Sequence, residues 1–306
     1  MHLAWWIHDV LSLLGMSRGR IDVLDHLDLL GRDLISFGGD PGAFRGEHVL
    51  VTGAAGTIGG ALVRSFQKFD ISVCGVDRIP SEEVDVVGDL CDPDVLTTVL
   101  QGCGVIFHAA ALKHVDRAEF DPDLTWKINR DLVGSICNHR PQGSRLLFVS
   151  TDKAAFPAGV MGKSKREAER LVLADSAQGP AFVVRFPNIL GSSDSVLPIW
   201  SDQLSKGGAL TLTDPTATRW FLTESEAVDL LLAVCSSGTP GAIHVPRLGD
   251  PIVIGDLLNR FLVGHHCPDH PVEIIDLRSG EKKHEVLFEH PPGASCKVPG
   301  VGLDQK

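Results

Sequence analysis

Four consecutive residues, Ser150-Thr151-Asp152-Lys153, put two hydroxyls, a carboxylate and an ammonium side by side. They end an apolar run, so the Asp–Lys pair falls at a strand terminus, where burial and mutual attraction shift both ionisations. An acid and a base held together can take a proton from carbon while protonating a departing hydroxyl. The plain alternative is a surface ion pair. Further on, Met161-Gly162-Lys163-Ser164-Lys165 opens a charged helix, KSKREAERLVLA, with Met161 and Lys165 four apart on one face. Met161 cannot take a proton and the chain contains no tyrosine, so proton chemistry falls to Asp152 and Lys153.

A second constellation binds rather than reacts. Gly53-Ala54-Ala55-Gly56-Thr57-Ile58-Gly59 follows VLVT and opens an amphipathic helix bearing Ile58, Leu62, Phe66 and Phe69. Glycines let the backbone turn tightly and approach a pyrophosphate, whose charge is met by amides at the helix N-terminus. This GxxGxxG spacing is typical of short-chain dehydrogenases, as is a Ser/Thr followed by a YxxxK helix, here with Met161 in place of Tyr. Asp77 closes the next strand 18 residues after Gly59. A carboxylate there accepts from both ribose hydroxyls of NAD and repels the 2′-phosphate of NADP. Arg78 is the residue type that can serve NADP, but Asp77 favours NAD. Asp89 and Leu90 are expected to border the adenine, and Ala109-Ala110-Ala111 let a cofactor pass over a strand tip. Lys165, in register with Met161, is read as a cofactor-ribose contact rather than a solvated helix lysine.

These residues need a scaffold, and the apolar runs at 48–52, 71–76, 84–87, 105–108, 146–150 and 182–186 supply one. Such Val/Ile/Leu-rich runs suit strands buried on both faces of a parallel sheet. Past Pro187 the pattern loosens into Gly/Ser/Pro loops and short helices, a lobe over the carboxyl ends of the strands, where open α/β sheets bind ligands. The expected organisation is an N-terminal helix and connector over 1–45, then an NAD-binding Rossmann domain with the catalytic residues over 46–186. A mainly substrate-binding lobe follows over 187–306. The fold class is α/β, a Rossmann-like doubly wound parallel sheet with a smaller C-terminal lobe.

The 306-residue chain is 43% hydrophobic and 22% charged, as a soluble globular protein should be. A net charge of −11 excludes non-specific attraction to nucleic acid or anionic membrane, so an anionic substrate needs a local site. Seven cysteines, an odd number without a CxxC pair, fit a reducing cytoplasm and no disulfide framework. Residues 1–15 read as an amphipathic helix packing on the body, with peripheral membrane contact through Trp5 and Trp6 as the alternative; His8 and Asp9 break any span. His265, His266, Cys267 and His270 have metal-ligand chemistry but no second pair at tetrahedral spacing, and no metal is expected.

Several blocks together resemble the CapD/WbpM-like nucleotide-sugar 4,6-dehydratases of the extended short-chain dehydrogenase superfamily, over roughly residues 24–290. They are DLLGR from Asp28, VLVTGAAGTIGGAL, HAAALKHVD, VSTDKAAFPAGVMGKSKREAE with its Met for Tyr, RFPNILGSSDSVLPIW, TRWFLT and LRSGEKKHEVL. The resemblance implies a tightly bound, recycled NAD and a UDP-N-acetylhexosamine, UDP-GlcNAc first. Hydride leaves C4, water is lost across C5–C6, and the hydride returns to C6. Thr151 is then the partner of the C4 oxygen, Asp152 the acid at the C6 hydroxyl and Lys153 the base at C5, with the acceptor of the C4 hydroxyl proton left open. Asn188 and Arg278 are expected at the diphosphate and Glu281 at the uridine ribose. Lys113, His114, Asn129 and Arg219 are expected elsewhere on the substrate. The Met variant implies retention at C5, and the superfamily implies a homodimer or larger homo-oligomer. Pro187, Leu112, Asp116, Ser279, Lys283 and His284 depart from the family pattern, and bear on sugar specificity more than on the reaction.

Overall fold

The computed structural model describes residues 26–175, 178–193, 195–277, 281–289, 294–295 and 297–304. The helix expected over 1–15 lies outside them, as do Arg278 and Cys296. Each apolar run forms a strand: β1 (Val49–Thr52), β2 (Val73–Asp77), β3 (Val86–Val87), β4 (Val105–His108), β5 (Arg145–Thr151) and β6 (Ala181–Phe186). Short strands follow: β7 (Asn188–Ile189), β8 (Leu210–Leu212), β9 (Thr218–Arg219), β10 (Phe221–Leu222), β11 (Ile243–Pro246), β12 (Ile252–Val253), β13 (Val272–Ile274), β14 (Ala294–Ser295) and β15 (Val301–Asp304). Nine of them form one sheet in the order β14-β15-β11-β6-β5-β4-β1-β2-β3. It is parallel from β3 to β11 and closes with antiparallel β15 and β14. Strand order reverses between β1 and β4, a switch point of the kind at whose carboxyl ends open α/β sheets bind ligands.

The helices are α1 (His26–Leu30), α2 (Thr57–Lys68), α3 (Pro93–Leu100), α4 (Val115–Phe120), α5 (Pro122–Trp126), α6 (Leu132–His139), α7 (Val160–Ala174), α8 (Val196–Ser205), α9 (Glu224–Ser237) and α10 (Ile254–Gly264). Every residue of β1 and β4 is buried, as double-sided helix cover demands. In α2, Leu62 and Phe66 reach the core, and Phe66 meets Phe44 and Phe107 at ring-centroid distances of 5.5 and 5.6 Å. A second hydrophobic cluster, around Trp200, Leu257 and Phe261, forms the centre of the smaller lobe.

The chain does not divide cleanly at Pro187. Beyond it, β11, β14 and β15 extend the large sheet, and α9 packs on α2, with Arg64 paired to Glu224 at 2.8 Å. Conversely, Leu29 and Leu30 of α1 join the lobe cluster. Arg32 then forks onto Glu226 of α9 at 2.5 and 3.0 Å and onto the Phe221 carbonyl at 2.9 Å. Backbone amides of Ile35, Phe37 and Gly39 donate to Glu226 and Asp229 at 2.5 to 2.7 Å, strapping this segment across the sheet domain. Among the described residues no helix is long and apolar enough to cross a membrane.

Candidate active site

The glycine loop sits at the carboxyl end of β1, against the segment that leaves β4. Gly53 has φ of 75°, and a Cβ there would lie 2.7 Å from the Ala110 nitrogen. At Gly59 a Cβ would lie 2.1 Å from the Gly53 carbonyl, so α2 reaches the loop only because that position has no side chain. Gly56 caps α2 without a side-chain hydrogen bond, and Thr57 and Ile58 form its first turn. The Asp77 carboxylate closes the far side, accepting from Ala55 N at 3.2 Å and Ile79 N at 3.1 Å. Arg78 and Asp89 are exposed beyond it, Asp89 accepting from Cys91 N at 2.9 Å, while Leu90 is buried. A cradle that a Cβ would fill, bordered by a carboxylate at a strand tip, fits the pyrophosphate and ribose of NAD.

Behind the loop, His108 Nδ1 lies 2.7 Å from Thr52 Oγ1, which accepts from Ala110 N at 3.2 Å and so fixes the Ala109-Ala110-Ala111 segment. Burial, reinforced by Lys165, pushes the His108 imidazole down to about 3, leaving it neutral. Asn129, expected at the sugar, does something else. Its Oδ1 accepts from Leu112 N at 2.8 Å, and its Nδ2 donates to the Leu112 carbonyl at 3.0 Å and Ser164 Oγ at 3.2 Å. With 1% exposure and its amide committed inward, Asn129 is a strut tying the segment after β4 to α7. Lys113 reaches Ser193, donating to its carbonyl at 2.9 Å and its Oγ at 3.0 Å, while His114 caps α4.

The buried face of α7 carries Met161, Gly162, Ser164, Lys165, Ala168, Glu169 and Val172, the three-and-four spacing of an amphipathic helix. Gly162 permits the closest approach, since a Cβ there would lie 2.5 Å from the Lys153 carbonyl. Lys165 donates to the Val149 carbonyl at 2.7 Å, and its Nζ sits 4.3 Å from the Phe148 ring centroid. Burial pulls its ammonium down to about 7, against the pull of Glu169.

At the end of β5 the backbone turns into a short 3-10 helix, Asp152–Ala154, which places three functional groups together. Thr151 Oγ1 donates to Asp152 Oδ1 at 2.8 Å, and Lys153 Nζ donates to the same oxygen at 3.1 Å. Asp152 is 1% exposed, whereas the Lys153 side chain is 26% exposed and opens toward solvent. Asp152 Oδ2 is buried and finds no hydrogen-bond partner among the described residues. A third ionisable group, absent from the sequence-derived site, completes the cluster: Glu285, whose Oε1 lies 3.6 Å from Lys153 Nζ. Burial lowers the Lys153 pKa, but Asp152 and Glu285 outweigh it and the net shift is upward. Burial, aided by Asp152 and opposed by Lys153, raises the Glu285 carboxyl. The signal for Glu285 lies in a period of two: Glu285 and Leu287 are buried between exposed Lys283-His284 and Val286, a half-buried extended segment.

Around this cluster, Asn188 and Arg219 come together because β7 pairs with β10, the strand beginning two residues after Arg219. Asn188 Nδ2 donates to the Trp220 carbonyl at 3.4 Å. Arg219 Nη1 donates to the carbonyls of Thr218 and Lys283, both at 2.9 Å. Glu281 lies half-buried on the segment that carries Glu285, and Lys282 of that segment donates to the Phe156 carbonyl beside the catalytic turn. His265 and His270, by contrast, face the carbonyls of Phe261 and Gly208 at 2.8 Å each.

A doubly wound sheet with a glycine loop at its switch point, and a Thr-Asp-Lys turn beside a Met-x-x-x-Lys helix, define a Rossmann-like fold with a candidate dinucleotide cradle and a candidate acid/base cluster. The chain belongs to the polysaccharide biosynthesis protein family, whose sequence profile matches residues 74–297. It is 33% identical over 274 residues to an uncharacterized membrane protein, MJ1061, of Methanocaldococcus jannaschii, covering 80% of this chain and 81% of that one. It is 32% identical to the capsular polysaccharide biosynthesis protein CapD of Staphylococcus aureus, over 85% of this chain and 48% of CapD. A probable polysaccharide biosynthesis protein of Bacillus subtilis, EpsC, is 34% identical over 89% of this chain and 50% of its own length. The chain thus spans about half the length of these last two relatives. Among solved structures, the dTDP-glucose 4,6-dehydratase DesIV of Streptomyces venezuelae, with NAD bound, aligns with a TM-score of 0.70 at 21% identity, covering 78% of this chain and 88% of that one. A UDP-N-acetylglucosamine 4-epimerase of Methanobrevibacter ruminantium aligns with a TM-score of 0.69 at 20% identity, over 79% of this chain and 89% of that one.

Proposed function

We infer that the chain is a nucleotide-sugar 4,6-dehydratase acting on a UDP-N-acetylhexosamine, UDP-GlcNAc first, with NAD rather than NADP and with retention at C5. The observation that carries this reading is the Thr151-Asp152-Lys153 cluster beside a helix whose usual tyrosine is Met161. A simple 4-epimerase needs that tyrosine as a base in both directions, whereas elimination needs an acid and a base on the substrate side.

NAD, when bound, supplies the acceptor for the C4 hydride and its source for C6. Gly53, Gly56 and Gly59 would let it approach, Asp77 would accept from its adenosine ribose, and Lys165 would hold its second ribose. Thr151 has its own proton committed to Asp152, so its lone pairs are free to accept a hydrogen bond from the C4 hydroxyl. Lys153 passes its ammonium proton to Asp152 before elimination, and the proton released at C4 restores that ion pair at the end of the cycle. The Asp152 carboxylic acid then protonates the leaving C6 hydroxyl as neutral Lys153 takes the C5 proton. The C5–H electrons form the C5–C6 double bond as the C6–O bond breaks and water leaves. The Lys153 ammonium later returns a proton to C5, from the face it took it, which retains configuration. Arg219 and Asn188 are the residues proposed to meet the diphosphate and Glu281 the uridine ribose, with Arg278 carried as a diphosphate partner by the family resemblance alone.

The test is incubation with UDP-GlcNAc in D₂O, read by mass spectrometry and proton NMR. Loss of water with one deuterium at C5 and no accumulating NADH is the expected result. An inverted C5 coupling pattern replaces retention by a 5-epimerising dehydratase, and a C4 epimer without water loss replaces dehydration by epimerisation. A protein that binds NAD and leaves UDP-GlcNAc and UDP-GalNAc untouched is a regulator.

A further inference from the structure

We propose that Glu285 is a positioning residue of the acid/base cluster, fixing Lys153 in place and deciding, by its own protonation, whether Lys153 can be a base. This rests on the dehydratase reading and deepens it.

Glu285 is 4% exposed, yet it hydrogen-bonds nothing through Oε2 among the described residues. Asp152 shares that condition through Oδ2, and a single ammonium lies between the two carboxylates, 3.1 Å from one and 3.6 Å from the other. The other charges facing Glu285 are the Arg219 guanidinium from β9 and Lys282 on its own segment, neither within salt-bridge distance. Two buried anions on one ammonium is an unfavourable count, and the cheapest correction is a proton on one of them.

The reaction gives that proton a consequence. Elimination must start with Asp152 protonated and Lys153 neutral, a state reached from the ion pair by moving one proton along the contact between them. An ionised Glu285 beside Nζ stabilises the ammonium and opposes that transfer. A protonated Glu285 exerts no such pull. With Glu285 protonated, the cluster of Asp152, Lys153 and Glu285 holds two protons and one of them is free to reach Asp152; with Glu285 ionised it holds one, clamped on Lys153. Turnover therefore falls as pH rises through the Glu285 ionisation, which burial places above the ordinary carboxylate range.

The test uses Glu285→Gln, an isostere of the protonated acid, together with carboxyl-¹³C NMR titration of the unmutated protein. Glu285→Gln is expected to keep the low-pH turnover of the parent within about threefold and to carry it at least about one pH unit further into alkali. In the parent, the Glu285 carboxyl is expected to titrate above its ordinary value, and higher still in Lys153→Met, where the ammonium is gone. A Glu285→Gln profile superimposable on the parent's overturns the proposal while leaving the dehydratase reading intact. So does a Glu285 resonance indifferent to Lys153→Met, and this readout needs no turnover. If the parent dehydrates no UDP-amino sugar but the two carboxyl titrations behave as expected, the coupling stands and the reaction reading fails.

Discussion

Two buried ionic clusters lie against α7, built from the same kinds of residue. In one, Arg185 on β6 donates through Nε and Nη2 to Glu169 of α7, at 2.9 and 2.8 Å, and through Nη1 to Asp304 of β15 at 2.5 Å. Ser150 adds a bond to Glu169 at 2.6 Å, and Glu289 N one to Asp304 at 3.2 Å. In the other, Lys153 serves Asp152 and Glu285, and each carboxylate keeps an oxygen without a partner among the described residues. A planar guanidinium satisfies a bidentate carboxylate; a lysine, a point charge on a flexible stem, satisfies neither of two acids fully. The first cluster is finished and therefore holds the structure together. The second is left incomplete, with Asp152 Oδ2 and Glu285 Oε2 uncommitted among the described residues.

The sharpest way to break this contrast is Asp152→Asn. It keeps the acceptor for Thr151 and Lys153 but removes the proton, so turnover should fall about 10²- to 10⁴-fold, with unfolding free energy changed by less than about 1 kcal/mol. Steady-state rates beside urea denaturation check both halves; a large stability loss would place Asp152 in the same category as Arg185. Arg185→Met should do the reverse. It strands Glu169 and Asp304, two carboxylates each about 2% exposed, and should cost about 3–5 kcal/mol of unfolding free energy.

Gly59→Ala tests the cofactor cradle away from both clusters. The new Cβ cannot occupy its place 2.1 Å from the Gly53 carbonyl without moving the loop, and overpacking of this kind costs about 1–3 kcal/mol. Calorimetric titration should show weakened NAD binding; unchanged affinity would put the dinucleotide elsewhere. The most gradual effect, spread over pH, belongs to Lys165. Its folded pKa of about 7 lies below its ordinary value, so between the two the unfolded chain binds a proton that the folded chain does not. Stability from this group therefore rises with pH above about 7, by at most about 1.4 kcal/mol per unit. Lys165→Met should flatten that slope in urea melts, and an unaltered slope would mean the buried amine titrates normally.

Much of the site was readable because its chemistry comes in contiguous blocks. The glycine loop, Asp77 and the Thr151-Asp152-Lys153 turn all stand beside apolar runs whose composition fixes them at strand ends. The first six strands followed from Val, Ile and Leu alone. β11 and β15 escaped because His244, Pro246 and Gly302 interrupt runs only four residues long, whose strand state comes from sheet neighbours and not from their own pattern. For Asn129, sequence shows a polar residue on a helix but not which way its amide is spent. Glu285 was hidden among Lys282, Lys283 and His284, where a buried acid looks like one more surface charge; only the tertiary fold sets it against Lys153.

The antiparallel strand β15 has a consequence for how the chain is made. Asp304 lies 119 residues after Arg185, so on the ribosome β6 and α7 emerge long before the last partner of their guanidinium. Until β15 arrives, that end of the sheet is an open edge with a guanidinium only partly hydrogen-bonded inside it. The arrival of β15 is therefore the step that completes the clamp on the helix bearing Met161 and Lys165. Force measurements on stalled nascent chains should register that step only once Asp304 has cleared the exit tunnel.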